Sequence, residues 1–388
     1  MKIVFLVNGR FGDAMGIRAR SFAERLPFEI HIVYRSANKL YAILGNLGNL
    51  VRFRPALCYV FDMGFSGVIA AGLFRMVSRC RVIVDTGDAI YQLSLSSGRG
   101  RLGSFLTKLL ERYALAISDR VVVRSHPHQE LLASQGITAD VIPDGVDLEQ
   151  FYPRAEEGLR RQLGLEGCVV AGTLGSLIWN QRLDMCYGSE LVEVIHRLRH
   201  LPIKGLVIGD GTGLARLKER CASLGILDRM VFAGRIPYDD LPCYLNLMDI
   251  CLSTQTNDAV GQVRTTGKLP LYLASGRFVL ATAVGEAARV LPEEMLVTYN
   301  GIQDLDYPER LADRVQALLQ DPEQLQRSTE SVALARAHFD YDMLAARLRE
   351  TFEQLVNSRY FEAKTGPVAP DLTGVTRREP VNRRPSGK

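Results

Sequence analysis

The residues whose types and spacing best suit chemistry lie in one stretch, 261–282, GQVRTTGKLPLYLASGRFVLAT. A loop bounded by Gly261 and Gly267 gathers Arg264, Thr265, Thr266 and Lys268. A short apolar helix through Leu269, Tyr272 and Leu273 follows, ends at Gly276, and leads into a strand over 278–281. Two cations, two hydroxyls and a run of backbone N–H groups ahead of a helix are what an anion needs, phosphate above all. A plain solvated loop contains the same residue types, so the neighbours must decide. The spacing excludes one use. Five residues separate Gly261 from Gly267 where a P-loop has four, and Leu269 stands where a Mg²⁺-binding hydroxyl is required, so this is not an ATPase loop.

Other groups carry weaker signals. GDGTG at 209–213 follows a strand and opens a helix, so Gly209 and Gly211 could hold an anion. Leu214 occupies the last glycine position of a dinucleotide fingerprint, which excludes that reading. The run RVIVDTGD ends a strand with Asp85 and Asp88, and the loop NGRFGDAMG has glycines at 9, 12 and 16 that permit close approach to a ligand. His196 and His200 have zinc-ligand spacing on a helix, but no Glu follows His196 and no third ligand is near. His126-Pro-His128 reads as a helix entry. No acidic pair suits a divalent metal, so none is expected, and no nucleophile turn is present.

These residues need a frame, and the hydrophobic pattern provides one. Apolar runs of strand length at 2–7, 31–34, 57–61, 81–85, 121–125 and 140–143 alternate with helical segments, including 17–26 and 67–77. A second series has strands at 169–175, 204–208, 230–236 and 250–254, with helices over 182–198, 214–224, 239–248 and 307–319. A long helix over 339–356 closes it. Such alternation predicts doubly wound parallel sheets with ligands at the strand C-termini. Residues 91–110 form a Gly/Ser-rich loop running into a basic amphipathic helix, longer than a βα connection requires. From 362 the chain turns to Pro, Gly, Thr and Arg without periodicity, which reads as disorder.

With 388 residues, 47% hydrophobic and 23% charged, two globular domains fit the composition. No apolar run is long enough to span a bilayer, and the seven cysteines form no Cys-x-x-Cys pair, as in a reduced cytoplasmic protein. Lys and Arg exceed Asp and Glu over 1–150 and in the tail, while 151–360 is net acidic. Basic residues are not interleaved with aromatics, which argues against nucleic acid. Two basic amphipathic segments, 35–54 and 99–113, point to an anionic membrane surface, although the first reads more readily as a helix packed in a βαβ unit.

The segment IPDGVDLEQFYP (142–153), preceded by ERYALAISDRVVVRSHPHQELLASQGI, resembles the interdomain region of retaining glycosyltransferases of the GT-B fold, specifically family 4-like enzymes. The run from VIGDGTGLARL to MDICLST is similar to the nucleotide-binding half of that family. The resemblance implies two Rossmann-like domains facing each other across a cleft. An acceptor domain would span 1–145 and a nucleotide-sugar donor domain 154–338, with a helix over 339–360 crossing back and a tail over 362–388. It implies sugar transfer with retention, without metal or other cofactor, to a lipid-linked, polysaccharide or other glycan acceptor. The cytoplasm is the expected compartment, with docking at the inner membrane face. Donor contacts would come from Gly175, Ser176, Arg182, Gly209, Gly211, Ile236, Thr265, Thr266, Gly267 and Leu269. Asp88, Arg264 and Lys268 would be catalytic, and Gly12, Met15, Gly16 and Arg18 would line the acceptor side.

The chain departs from the family at two glutamates eight positions apart, whose places fall at Val263 and Leu271. The usual Arg and Lys of an earlier loop fall at Thr173 and about Asn180, and Asp88 stands where many members have a histidine. Two other readings therefore stay open: a catalytically impaired relative acting as a nucleotide-sugar-binding or scaffold protein, and an NDP-sugar epimerase.

Overall fold

The computed structural model describes residues 1–365 apart from 37, 97, 182 and 327. Among them, twelve strands form two sheets of six, parallel throughout. The first contains β1 (Lys2–Val7), β2 (Glu29–Tyr34), β3 (Leu57–Val60), β4 (Arg81–Thr86), β5 (Arg120–Val123) and β6 (Ala139–Val141), ordered β2-β1-β3-β4-β5-β6. The second contains β7 (Val169–Leu174), β8 (Ile203–Ile208), β9 (Met230–Gly234), β10 (Ile250–Ser253), β11 (Phe278–Thr282) and β12 (Leu296–Val297), ordered β12-β11-β10-β7-β8-β9. Strand order reverses between β1 and β3 in one sheet and between β7 and β10 in the other. The loops leaving those strands diverge, so each sheet has a crevice at its carboxyl edge.

The central strands read as unbroken apolar runs because both faces are covered. In β1, Ile3, Phe5 and Val7 enter a core closed by the helix Ala14–Arg25 and by the last helix, Tyr341–Thr365. Val4 and Leu6 enter the opposite core, beneath the helices Lys39–Phe53, Phe65–Val77 and Arg101–Ile117. The last helix contributes Tyr341, Leu344, Ala345, Leu348, Phe352 and Leu355, one stripe at helical spacing. It follows the second sheet in sequence but packs on the first. It continues to Thr365, past the 362 boundary, and the rest of the expected tail lies outside the described residues.

Several elements differ from the pattern read in the sequence. The loop expected before Glu111 contains a helix, Ile90–Ser96, ahead of Arg101–Ile117. The helix expected from 182 begins at Ser189, because Asn180 and Met185 pair in an antiparallel bridge and Gly188 turns the chain at φ 96°. The segment 239–248 is a single turn followed by the short helix Leu241–Leu245. The two-residue β12 and the helix Ser328–His338 carried too little periodic signal to be found.

At the carboxyl end of β4, Asp85 is wholly buried and accepts hydrogen bonds from Arg18 Nε (3.1 Å), Tyr59 Oη (2.9 Å) and Arg124 Nε (3.3 Å). Burial alone would push this carboxyl up, but the two guanidiniums outweigh it and hold Asp85 below the usual range. Arg18 also donates to the carbonyls of Ile142 (2.8 Å) and Pro143, and is 1% exposed. It is therefore a brace between the first sheet and the segment leaving β6, and not the acceptor-facing residue that its loop suggested. Removing one partner of a buried ion cluster leaves the others uncompensated, at a cost of about 3–5 kcal/mol. Asp85→Leu is expected to lower stability by that amount in urea unfolding, and adding Arg18→Leu should recover part of the loss. An unchanged urea midpoint for Asp85→Leu would contradict the assignment.

Candidate functional site

The crevice between β7 and β10 opens into a cavity of about 280 Å³ lined by Tyr187, Glu190, Thr254, Gln255, Asp258, Arg264 and Tyr299, with Leu93 and Ser96 of the first half closing one side. Local chemistry shapes its floor. Asp258 caps the helix Ala259–Val263 by accepting from the Gly261 amide (2.8 Å). Gly261 has to be glycine, because a Cβ there would collide with the Thr256 carbonyl. The Gln255 side-chain amide donates to the Arg264 carbonyl (2.7 Å), fixing where the cationic loop leaves the helix.

Two of the three residues expected to be catalytic meet across the halves. Arg264 Nε lies 2.7 Å from Asp88 Oδ1, with side chains 35% and 24% exposed, so the pair stays open to the cleft. Burial would weaken the Arg264 guanidinium as a base, but the charge of Asp88 prevails and the Arg264 pKa is raised. Beside this pair, the Ser125 hydroxyl donates to the Val263 carbonyl, and Glu286 accepts from the His126 amide (2.8 Å) and pairs with His126 Nδ1 (2.8 Å). Ser125 also caps the helix His126–Ala133, so His126-Pro-His128 is the helix entry expected. Sequence reasoning missed Glu286. The run VGEAARV gives no sign that its carboxylate crosses to the other sheet.

Lys268 is only 8% exposed, and its Nζ has no hydrogen-bond partner among the described residues. The ammonium sits 4.0 Å from the centroid of the Tyr187 ring and near Gly175, where an added Cβ would lie 3.6 Å from Nζ. Burial lowers its pKa to about 8 against the opposing pull of Glu190. Thr265 Oγ1 is likewise buried without a partner, whereas Thr266 Oγ1 lies 3.0 Å from Ser253 Oγ. Gly267 packs near the Asp144 carboxylate. The Leu269 amide donates to the Thr266 carbonyl (3.0 Å) and its side chain is buried, so it offers a ligand little.

The remaining expected contacts divide. Ser176 is exposed next to Gly175, and Ile236 is half-buried against the second core beyond the cavity wall. Arg182 lies outside the described residues. GDGTG is a packing turn and not an anion cradle. The amides of Gly209, Gly211 and Gly213 donate to the Gly234 carbonyl, Asp210 Oδ1 and the Leu177 carbonyl, and a Cβ at 209 or 211 would strike the backbone of Gly175 or Leu177. On the acceptor side, Gly12 faces open space, Gly16 is pressed against the carbonyls of Arg10 and Phe11, and the Met15 sulfur accepts from Arg124 Nη2 (3.0 Å).

The second residue that sequence reasoning missed is Glu190, in the first turn of the helix Ser189–Arg197 and 6% exposed. Its signal was faint but present, an acid next to Leu191 and Val192 on a helix with a buried apolar face. Burial pushes its carboxyl up to about 7, opposed by a hydrogen bond from its own backbone amide and by Lys268. Among the described residues, no three His, Cys, Asp or Glu side chains are grouped to hold a metal ion.

Lys268 makes stability depend on pH. Its folded pKa of about 8 lies below the ordinary lysine value of 10.5, so between those values the unfolded chain binds more protons than the native one, and stability rises with pH across that window. The rise is bounded at about 3 kcal/mol by a shift of this size. Chemical denaturation between pH 7.5 and 10.5 should show it, and Lys268→Met should flatten it. An equal slope in the variant would contradict burial of the ammonium.

Residues 169–321 match the family model described as "Glycosyl transferases group 1". The chain is 27% identical over 192 residues to the 2-deoxystreptamine glucosyltransferase of Streptomyces kanamyceticus, covering 46% of each. It spans about half the length of the curated relatives it matches. Among solved structures it is similar to a sucrose-phosphate synthase from Thermosynechococcus elongatus, with TM-score 0.75, 17% identity and coverage of 92% of this chain and 100% of that one. It is also similar to Anabaena HepE in complex with UDP-glucose, with TM-score 0.71, 17% identity and coverage of 91% and 100%. The cavity at the β7/β10 crevice thus belongs to a chain that over residues 169–321 is similar to the group 1 glycosyltransferases and whose two Rossmann-like halves have the GT-B fold.

Proposed function

We propose that the protein transfers a glycosyl group from a nucleotide-sugar, held by residues 154–338, to an acceptor held by residues 1–145, with the 339–360 helix joining the two. The observation that carries this reading is the Lys268 ammonium, buried without an acceptor among the described residues at the carboxyl edge of β7 and β10. A buried cation with no counter-group in hydrogen-bond reach suits an anionic ligand, and the diphosphate of a nucleotide-sugar is one. Cleaving the sugar–phosphate bond builds negative charge on the leaving diphosphate. Lys268 and Arg264 are fixed in advance to stabilise it, which is worth more in a water-poor crevice than in bulk solvent. Asp88 orients Arg264 and brings a carboxylate from the acceptor half. With charge supplied this way, transfer proceeds with retention and without a divalent metal. HepE was solved with UDP-glucose, and a relative is named a glucosyltransferase, which supports this donor class.

The acceptor is lipid-linked and reached from an anionic membrane on the cytoplasmic side. No described helix is long and apolar enough to cross a membrane. The helix Arg101–Ile117 buries only Ser104, Thr107 and Ala114, while Leu102 (72%), Phe105 (55%), Leu106 and Leu109 stay exposed between Arg101, Lys108 and Arg112. Two helices on the same face of the first sheet add to it, Phe65–Val77 with exposed Leu73, Met76 and Val77, and Lys39–Phe53 with exposed Tyr41, Leu44 and Val51. A wide apolar face rimmed by cations fits the interface of an anionic bilayer, where each Lys or Arg contributes about 1 kcal/mol.

Two measurements test this. Isothermal titration of UDP-, GDP- and ADP-sugars should find one that binds in EDTA, and Lys268→Ala should weaken it by about 1.5–3 kcal/mol. No binding, or a strict metal requirement, would contradict the donor site. In liposome flotation the protein should bind anionic but not neutral vesicles, lose binding in high salt, and bind less when Arg101, Lys108 and Arg112 are changed to Gln. Recovery in the unbound fraction throughout would exclude docking.

A further inference from the structure

A second cavity, of about 530 Å³, lies in the first half among the helices Ile90–Ser96, Arg101–Ile117 and His126–Ala133. The short helix Ile90–Ser96 contributes to both cavities. Leu93 and Ser96 line the one at the β7/β10 crevice, Tyr91 and Gln92 line this one, and no residue lines both. The sugar transfer proposed above does not use it.

Its lining combines free charge with unpaired polar atoms. Lys108 and Arg112 stand one turn apart on Arg101–Ile117, both exposed, and neither is in an ion pair among the described residues. Lys108 Nζ lies 5.1 Å from the centroid of the Tyr91 ring. Glu111, the acid in the lining, is engaged elsewhere, since its Oε1 accepts from the Tyr91 amide (3.2 Å). Gln92 Oε1 and His128 Nδ1 are buried, and neither has a hydrogen-bond partner among the described residues. His128 as a whole is 2% exposed, and burial lowers its pKa to about 4, so the ring is neutral at physiological pH. Buried polar atoms are ordinarily paired. Two orphaned ones beside two free cations, in a space large enough for a small molecule, mark a place that a ligand completes.

The ligand needs two features. An anion matches Lys108 and Arg112, and hydroxyl donors match Gln92 Oε1 and the accepting nitrogen of a neutral imidazole. We propose that this cavity binds a phosphorylated polyol, with its phosphate on Lys108 and Arg112 and its hydroxyls on Gln92 and His128. A lipid headgroup is favoured as its source over a free sugar phosphate. Leu102, Phe105, Leu106 and Leu109 are exposed on the helix that carries the two cations, so a headgroup in the cavity leaves its acyl chains beside an apolar stripe. Charge draws the protein to any anionic bilayer, and the hydroxyl contacts select among headgroups. The lipid source rests on the docking proposed above, and the site is independent of the donor pocket.

The test is flotation of the full chain on vesicles of equal surface charge containing phosphatidylglycerol, phosphatidylinositol or phosphatidylserine. The first two headgroups carry hydroxyls and the third has none. Calorimetry with glycerol 3-phosphate and inositol 1-phosphate gives the soluble arm. Wild type should prefer phosphatidylglycerol or phosphatidylinositol by about three- to tenfold. Gln92→Leu, and Ala116→Trp at an exposed position of the lining, should remove that preference and leave binding to phosphatidylserine unchanged. A preference that persists in both variants overturns the site. Equal binding to all three lipids, with no binding of the soluble phosphates, overturns the site while docking by charge stands. Soluble phosphates that bind, and are lost in Ala116→Trp, uphold the site, and without a lipid preference they overturn the lipid source. No binding to any vesicle or soluble phosphate overturns both site and docking. Melting curves accompany each variant, and if Ala116→Trp fails to fold the decision rests with Gln92→Leu.

Discussion

Asp85 has no solvent exposure, yet two guanidiniums and a phenol converge on it, and the placement of the first half depends on that convergence. Arg18 extends the contact from β4 to the carbonyls of Ile142 and Pro143, and Arg124 extends it to Asp62 at 3.2 Å. Asp144 pairs with both arginines as well, so five charged groups and the ends of four strands are fixed in one cluster at the carboxyl edge of the sheet. Its energetic value lies in mutual compensation, since each ion would be costly alone. One consequence is geometric. The loop after β4 is set so that Asp88 meets Arg264 of the other half, and the cleft between the sheets has a defined wall on both sides.

The second half uses the opposite device. Where the Asp85 cluster satisfies every ion, the Lys268 ammonium is buried without a hydrogen-bond partner among the described residues, and Glu190, whose charge acts on it, is buried with its own backbone amide as a partner. Burial displaces both from their ordinary protonation range, the lysine downward and the glutamate upward, toward neutral pH. Perturbed groups of this kind concentrate where a ligand supplies the missing interactions. The aromatic face of Tyr187 gives the ammonium partial compensation, enough to hold it in place while it still lacks an acceptor.

The fold was largely legible, because unbroken apolar runs separated by helical periods dictate parallel strands covered on both faces. The site was legible where charge and sequence neighbourhood coincide. Arg264 and Lys268 lie on one loop, and Asp88 lies at a strand end. What remained hidden depended on distant approach. Nothing near Glu190 or Glu286 reveals which element it faces, and that is set by packing between residues far apart in the chain. The glycines of GDGTG misled for a related reason. Glycine permits close approach without specifying to what, and here the neighbour is the backbone after β7 and not an anion. Arg18 misled in the same way, as an arginine just after a glycine-rich loop whose side chain turns inward to a buried carboxylate.

The two halves thus have distinct physical roles, one organised around a closed ion cluster and the other around a buried ammonium that lacks an acceptor among the described residues. The central claim is that a nucleotide-sugar supplies that acceptor. A crystal structure of the protein soaked with the UDP-, GDP- or ADP-sugar that binds it tests the claim most directly. The account predicts ligand density between the loops after β7 and β10, with diphosphate oxygens in hydrogen-bond reach of Lys268 Nζ. Density against the GDGTG turn, or within the first half alone, with Lys268 still unpartnered, would contradict it.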